Sequence, residues 1–405
     1  MSDSRTKRLI LTCAAGLSVL LVVIIAGKSA FGKRMDKETE SCPVPVNLNE
    51  TLTNEMSDTS CLAGFDKIVK GYLTYWGIHG ASLSVMRNDS LLFAKGYGEA
   101  DTDKKMGPGN ILRMASVSKL VTAVGIMVLQ GRGLLSIKDH VFGPDGILND
   151  SAYVAAIKDT LYNRSTVEDL MRHKGGFSKR GGDPMFSTRW IMMQNGWKEV
   201  PTQEQLMELQ LKRRVKFVPG TAQEYSNFGY LALSMVIEKV SGMDYETFMQ
   251  ENVLRPIGCV DFHIAGNYYK HKLPNETRYY VQHDDEPAEE FNNSGRKVIR
   301  CYGGNNVTGL SGAGAWAAST PELALLVASI DGRPEVPDII SKESVDQMTE
   351  YFDESTYSLG WNDTKDGYWT RTGTFAGTSA LIKYFPDGEC WIFISNTSTY
   401  KGPGL

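Results

Sequence analysis

A chain of 405 residues with 42% apolar and 22% charged side chains can bury a large core. Its net charge of −4 comes without a basic stripe that could neutralise phosphates, which excludes nucleic acid as a natural partner. The six histidines and six cysteines form no HExxH or CxxC, so neither a metal nor any other cofactor is expected.

In chain order, the first feature concerns a membrane. Leu9 to Gly27 is a run of 19 residues without a charge, bracketed by Arg5, Lys7 and Arg8 and by Lys28, Lys33 and Arg34. That length spans a bilayer as a helix, and residues 1–34 are read as an uncleaved single-pass anchor. A cleaved signal peptide, whose apolar region is usually about 7 to 15 residues, and a mitochondrial import leader are the alternatives. Basic residues on both flanks leave the orientation open. Nine of the 18 asparagines open an Asn-x-Ser/Thr sequon: Asn49, Asn88, Asn149, Asn163, Asn275, Asn292, Asn306, Asn362 and Asn396. Chance predicts roughly two or three, so the catalytic part is expected in the lumen or outside the cell. With Cys13 in the membrane, five cysteines remain, and two disulfides with one free thiol is the simplest arrangement, its pairing open.

Residues 35–62 are polar, carry Pro43 and Pro45, and read as a stalk. The folded part is expected over 63–405. Phe65, Ile68, Val69, Tyr72, Leu73 and Trp76 recur at helical spacing, so the first helix has one apolar face. Ala81 to Met86 and Leu91 to Tyr97 then read as a hairpin. Ser116 to Leu129 is helical, 173–183 is a Gly-rich basic loop, and a second strong helix covers about Phe228 to Val240, stopped by Gly242. Asp244 is placed to cap the next helix, and Ser319 to Glu322 open another with capping-box spacing. The acidic stretch 284–290 reads as a solvated loop. Strands return at Tyr368 to Thr372, Ser379 to Tyr384 and Cys390 to Ser395. The expected fold is α+β: an antiparallel sheet formed by the N- and C-terminal parts (about 63–115 and 316–405), flanked by helices, with a mainly helical part (about 116–315) inserted between.

Three motifs could carry chemistry. Ser116-Val117-Ser118-Lys119 is an SxxK at the start of an apolar helix, where hydroxyl and amine share a face and the helix N-terminus favours a developing oxyanion. A buried lysine sheds its proton readily and can activate a serine. The same pattern recurs at Ser4/Lys7, Ser294/Lys297 and Ser398/Lys401, none opening an apolar helix, and by itself Ser116 also reads as a helix cap. Tyr225-Ser226-Asn227 precedes the second helix; a tyrosine beside a lysine can relay a proton, and an Asn amide can orient a carbonyl, although a buried Tyr and a capping Asn fit equally. Arg371-Thr372-Gly373 lies on a strand edge, where a cation can hold an anionic group and Gly373 allows close approach, or where it is simply a surface strand.

In the order SxxK, YxN, basic-Thr-Gly, separated by 109 and 146 residues, these motifs resemble the penicillin-recognising serine hydrolases. Within them the chain is most similar to the branch with Tyr in the second motif, which holds class C β-lactamases, some esterases, D-amino-peptide hydrolases and animal β-lactamase-like proteins. Phe217-Val-Pro-Gly-Thr, Leu170-Met-Arg-His-Lys-Gly-Gly, Leu359-Gly-Trp361 and Gly373-Thr-Phe-Ala-Gly-Thr-Ser379 extend the likeness over about 63–398. The resemblance implies that Ser116 forms an acyl-enzyme, that Lys119 and Tyr225 share the proton work, and that the backbone amides of Ser116 and Thr374 form the oxyanion hole. It also implies that Asn227, Arg371, Thr372 and Gly373 hold the substrate, Arg371 meeting its carboxylate.

Two departures stand out. Arg371 replaces the usual Lys or His, leaving a fixed cation only. The chain ends at Leu405 where relatives add a helix over the sheet, so the first helix covers that face alone or the chain is incomplete. The expected protein is a membrane-tethered serine hydrolase acting on a peptide, amide or ester carbonyl; the alternative is a scaffold that kept the fold and lost the reaction.

Overall fold

The computed structural model describes residues 47–58, 63–179, 182–282, 287–353 and 356–398. The apolar run 9–27, with Cys13, Cys42 and Cys61, lies outside the described residues, as do Ser4/Lys7 and the end of the chain. Among the described residues no helix is long and apolar enough to cross a membrane.

Six strands form one antiparallel sheet: β1 (Gly80–Arg87), β2 (Ser90–Asp101), β3 (Lys104–Lys105), β4 (Trp369–Phe375), β5 (Thr378–Tyr384) and β6 (Glu389–Ser395). Their order is β4-β5-β6-β1-β2-β3, so the seam between the two ends of the chain is the β1–β6 pairing, from Ala81 opposite Ser395 to Arg87 opposite Glu389. The β1–β2 turn places Asn88 and Asp89 at φ +45° and +58°, the left-handed pair that a two-residue hairpin needs.

The period-2 alternation of β1 assigns its two faces. Ala81, Leu83 and Val85 join Phe93, Tyr97 and Phe393 beneath the first helix, α1 (Ala63–Trp76), which buries Phe65, Val69 and Leu73. Three further helices matter for the site: α2 (Ser118–Gly131), α3 (Asn227–Ser241) and α4 (Thr320–Ala328). Ser82 and Ser84 face α4 instead, each 2.8 Å from the Thr320 hydroxyl. Helix α2 buries 12 of its 14 residues, as a helix that is apolar all round must. Helix α3 is capped by Ser226, which accepts from Gly229 N at 3.1 Å, and is stopped by Gly242 at φ +69°. Asp244 caps the next helix by accepting from Thr247 N. The inserted helical part is closed at its borders where Leu112–Arg113 pairs with Trp316–Ala318.

Several expectations change. Residues 47–58, counted with the stalk, dock on the domain: Asn49 Nδ2 donates to Asp261 Oδ2 (3.0 Å) and Glu322 Oε2 (3.3 Å), and the Ser57 hydroxyl donates to Ala94 O (2.9 Å). Polar residues gave no apolar signal for that docking, which rests on hydrogen bonds to distant elements. The capping box at Ser319 stays open, because Glu322 turns its Oε1 to Val260 N and Asp261 N instead. The arrangement of two disulfides is corrected as well: Cys259 and Cys390 are free thiols buried in the main core, so at most one bridge remains for the other three. Residues 284–286 of the acidic stretch lie outside the described residues, but Glu290 is 1% exposed and accepts from Tyr268 Oη and Arg296, so it is not solvated. The sequons divide too. Asn49 and Asn396 are buried, and they and Asn275 donate through the very nitrogen a glycan would occupy, to Asp261, Glu99 O and Gly109 O respectively. Asn88 and Asn149 are exposed.

Candidate active site

Ser116 sits in a single 3-10 turn, Ala115–Val117, in front of α2. Ala115 there adopts φ +48°, a left-handed conformation that costs a non-glycine residue about 1–3 kcal/mol and sharpens the bend from Arg113 into the helix. The floor of this turn is set by Gly373 on β4. A Cβ added at Gly373 would lie 2.3 Å from Met114 O and 2.7 Å from Ser116 N, so the glycine is required by the turn itself.

The expected i,i+3 relation brings Lys119 Nζ to 3.1 Å from Ser116 Oγ. Tyr225 approaches from the loop before α3, its hydroxyl donating to the same oxygen at 2.6 Å. Lys119 is fully buried and also donates to Asn227 Oδ1 (2.7 Å) and Ala313 O (2.6 Å). Burial, and after it the Arg371 guanidinium, holds its amine well below the ordinary lysine range, with Lys179 acting the same way and Asp183 opposing. The shift favours the neutral amine, the form that can accept a proton. Asn227 forms the first residue of α3, so the helix start fixes its side chain opposite Lys119. Ser118, by contrast, is fully buried and accepts from Trp316 N at 3.1 Å, away from the Ser116 hydroxyl.

The third motif is arranged differently from an edge cation. Arg371 is 1% exposed, and its Nε and Nη2 both donate to the backbone carbonyl of Ser116, at 2.8 and 2.6 Å. It braces the turn from below. Thr372, on the other face of β4, donates its amide and hydroxyl to Asn362 Oδ1 at 2.7 and 3.2 Å. Thr374 is exposed at the end of the strand beside the Ser116 turn.

Three contributors were missed from sequence. Asp183, at the end of the Gly-rich loop, accepts from Asn227 Nδ2 at 2.8 Å. His173, at the start of the same loop, is buried with its ring centroid 4.4 Å from that of Tyr225, and its Nδ1 accepts from Ser226 N at 3.1 Å. Burial and then Lys119 hold it well below the ordinary histidine range, so it is a neutral ring packed on Tyr225. Ala313 contributes only a carbonyl, which no side-chain pattern announces. Beyond Asp183, Phe186, Trp190, Phe291, Arg189 and Glu289 line a cavity of about 240 Å³.

A buried amine with a lowered hold on its proton and a phenol on one serine hydroxyl are equipped for proton transfer during acyl transfer. The family described as Beta-lactamase matches residues 65–403. A putative D-alanyl-D-alanine carboxypeptidase of Escherichia coli O157:H7 is 22% identical over 375 residues, covering 84% of this chain and 78% of its own. Penicillin-binding protein 4* of Bacillus subtilis (strain 168) is 25% identical over 188 residues, 46% of this chain and 37% of its own. Among solved structures, the octameric penicillin-binding protein homologue from Pyrococcus abyssi superposes with TM-score 0.62 at 22% identity, over 84% of this chain and 74% of that one. The D-amino acid amidase from Ochrobactrum anthropi SV3, solved with L-phenylalanine amide, gives TM-score 0.63 at 18% identity, over 83% and 92%. With the match running through the sheet, the inserted helices and all three motifs, this chain belongs to the Beta-lactamase family.

Proposed function

We propose that this protein is a serine hydrolase that forms an acyl-enzyme on a peptide, amide or ester carbonyl, with Ser116 as nucleophile. The observation that carries the reading is one hydroxyl held between two proton partners, Lys119 at 3.1 Å and Tyr225 at 2.6 Å. As Ser116 Oγ bonds to the carbonyl carbon, its proton passes to the Lys119 lone pair and the carbonyl becomes an oxyanion facing the amides of Ser116 and Thr374. When the carbon–leaving-group bond breaks, the leaving amine or alkoxide takes the proton of Tyr225, and the proton gained by Lys119 passes to the phenolate beside it. Water then attacks the acyl carbon and gives a proton to the same pair; the bond to Ser116 Oγ breaks, the pair returns that proton to the serine oxygen, and the acid leaves. Asn227 and the β4 edge at Thr372 and Gly373 flank the substrate in this scheme. Arg371 braces the Ser116 carbonyl and disfavours the protonated form of Lys119. The carboxypeptidase and amidase relatives support a peptide or amide substrate.

The test is covalent labelling with a fluorophosphonate or a β-lactam: wild type labels and Ser116→Ala does not. Labelling that persists in Ser116→Ala puts the nucleophile elsewhere, and an unlabelled wild type favours the scaffold reading. Ser118→Ala keeps its labelling, at about 1–3 kcal/mol of stability for the orphaned Trp316 N–H.

The proposal includes tethering by residues 9–27, with the domain lumenal or extracellular. The exposed sequons at Asn88 and Asn149 support it. A glycosidase that shifts the mobility of the membrane-bound protein is the expected result; no shift, with the protein found in mitochondria, overturns the lumenal placement.

A further inference from the structure

The Gly-rich loop ends on a carboxylate that reaches the candidate site. Asp183 caps the turn Pro184–Phe186 by accepting from Met185 N through Oδ1 (3.0 Å), while its Oδ2 accepts from Asn227 Nδ2 (2.8 Å). On its other side the same Asn227 amide, 8% exposed, accepts from Lys119 Nζ at 2.7 Å. A carboxylate has no proton to give. Beside Asp183 the amide must therefore present its NH₂ to the acid and its oxygen to the lysine.

The consequence follows from counting protons on Lys119. A neutral amine has two N–H bonds and one lone pair. Ala313 O and Asn227 Oδ1, at 2.6 and 2.7 Å, can only accept, so they take both N–H bonds. The lone pair is left for Ser116 Oγ, 3.1 Å away. Turning the Asn227 amide over would reverse this at unchanged distances. Its NH₂ would claim the lone pair, and a lysine N–H would be left pointing at the hydroxyl it has to deprotonate.

We propose that Asp183 is a positioning residue: by fixing which end of the Asn227 amide faces Lys119, it aims the lysine lone pair at Ser116. The inference rests on the hydrolase reading above and deepens it. Asp183 lies 44 residues before Asn227 in the chain and hydrogen-bonds the amide, so it sets the lysine's orientation through Asn227 while its charge reaches Lys119 through space.

The charge of Asp183 supplies a readout that a merely structural role would not move. Around Lys119, Arg371 and Lys179 favour loss of its proton, Asp183 favours its retention, the Tyr225 and Tyr230 rings lie 4.9 and 5.6 Å away, and His173 is neutral. Without Asp183 the lysine deprotonates at lower pH. The experiment follows the rate of fluorophosphonate labelling against pH in the full chain for wild type, Asp183→Ala, Asp183→Asn and Ser116→Ala. Expected for Asp183→Ala is a plateau rate lower by about tenfold or more, a part of the about 10²–10⁴ that general base catalysis supplies, with the acid limb moved to lower pH. Asp183→Asn keeps the size and the cap on Met185 N, loses the charge, and no longer dictates the amide. Its limb moves likewise and its plateau falls less, which keeps the test open if the alanine variant fails to fold. A plateau unchanged in both variants, or a loss of rate with the limb unmoved, overturns the role of Asp183 while the hydrolase reading stands. An unlabelled wild type overturns the hydrolase reading and this inference with it.

Discussion

The buried ionisable residues around Lys119 and those at the β1–β2 hairpin obey the same rule with different results. Around Lys119, full burial and the nearby Arg371 and Lys179 favour the uncharged amine. At the β1–β2 hairpin, burial and the neighbouring Asp331, with Glu335 adding to them, push the Asp89 carboxyl up to about 7. In each place desolvation and like charges select the neutral form. What the neutral group meets is different. The amine faces a serine hydroxyl at 3.1 Å, and the carboxyl accepts from Val336 N beside a Tyr384–Arg333 pair. A displaced titration is thus a marker of chemistry only where a reacting atom stands next to it.

The comparison breaks most severely if Tyr225 does nothing. Tyr225→Phe removes the proton from the 2.6 Å contact on Ser116 and leaves the ring on His173 in place. Turnover of a chromogenic ester is expected to fall about 10²-fold or more. Retention of full turnover would assign the proton work to Lys119 alone.

Next in size is Arg371. Its removal takes a cation from beside Lys119, so the lysine keeps its proton to higher pH and the acid limb of kcat/KM moves up, opposite in sign to the shift expected for Asp183. Because the guanidinium is buried on Ser116 O, Arg371→Ala should lower turnover on neutral and carboxylate-bearing substrates alike. Arg371→Lys keeps the charge but not the bidentate grip, and should restore the limb better than the rate. A loss confined to KM for anionic substrates would instead make Arg371 a reader of the substrate.

Gly373→Ala tests the same turn mechanically. Its new Cβ would meet Met114 O at 2.3 Å, an overpacking worth about 1–3 kcal/mol in thermal or denaturant unfolding. Unchanged stability would show that the Ser116 turn yields easily.

The smallest effect is expected at the hairpin. Asp89 has an ordinary value of 3.8 and one of about 7 in the fold, so between those limits the folded state binds the extra proton and stability falls as pH rises. Asp89→Asn should flatten the decline of the unfolding midpoint between about pH 4 and pH 7. An unaltered slope would place the proton elsewhere.

Much of the architecture was legible because its signals are local. The alternation of Ala81 to Met86, the run Cys390 to Ser395, Gly242 ending α3 and Asp244 capping its successor all act between near neighbours in the chain. The pairing of Ser116 with Lys119 is of the same kind, since i,i+3 on a helical turn is geometry that the spacing already contains. The polar docking of Asn49 and Ser57 was not legible, because hydrogen-bonding residues in a loop look the same whether water or a distant helix satisfies them. Nor could the sequons reveal that Asn49 and Asn396 are structural.

By itself, then, the amino-acid order determined which segments are helix or strand, that the sheet joins both ends of the chain, and which serine and lysine share a turn. Only the tertiary structure decided how the remaining partners are used. It turned Arg371 onto a backbone carbonyl 255 residues away, brought Ala313 O to Lys119, and set Asp183 against Asn227. The physical reason is that hydrogen bonds and burial depend on position in space: a guanidinium, a carbonyl and a carboxylate each have many possible partners, and packing alone selects one.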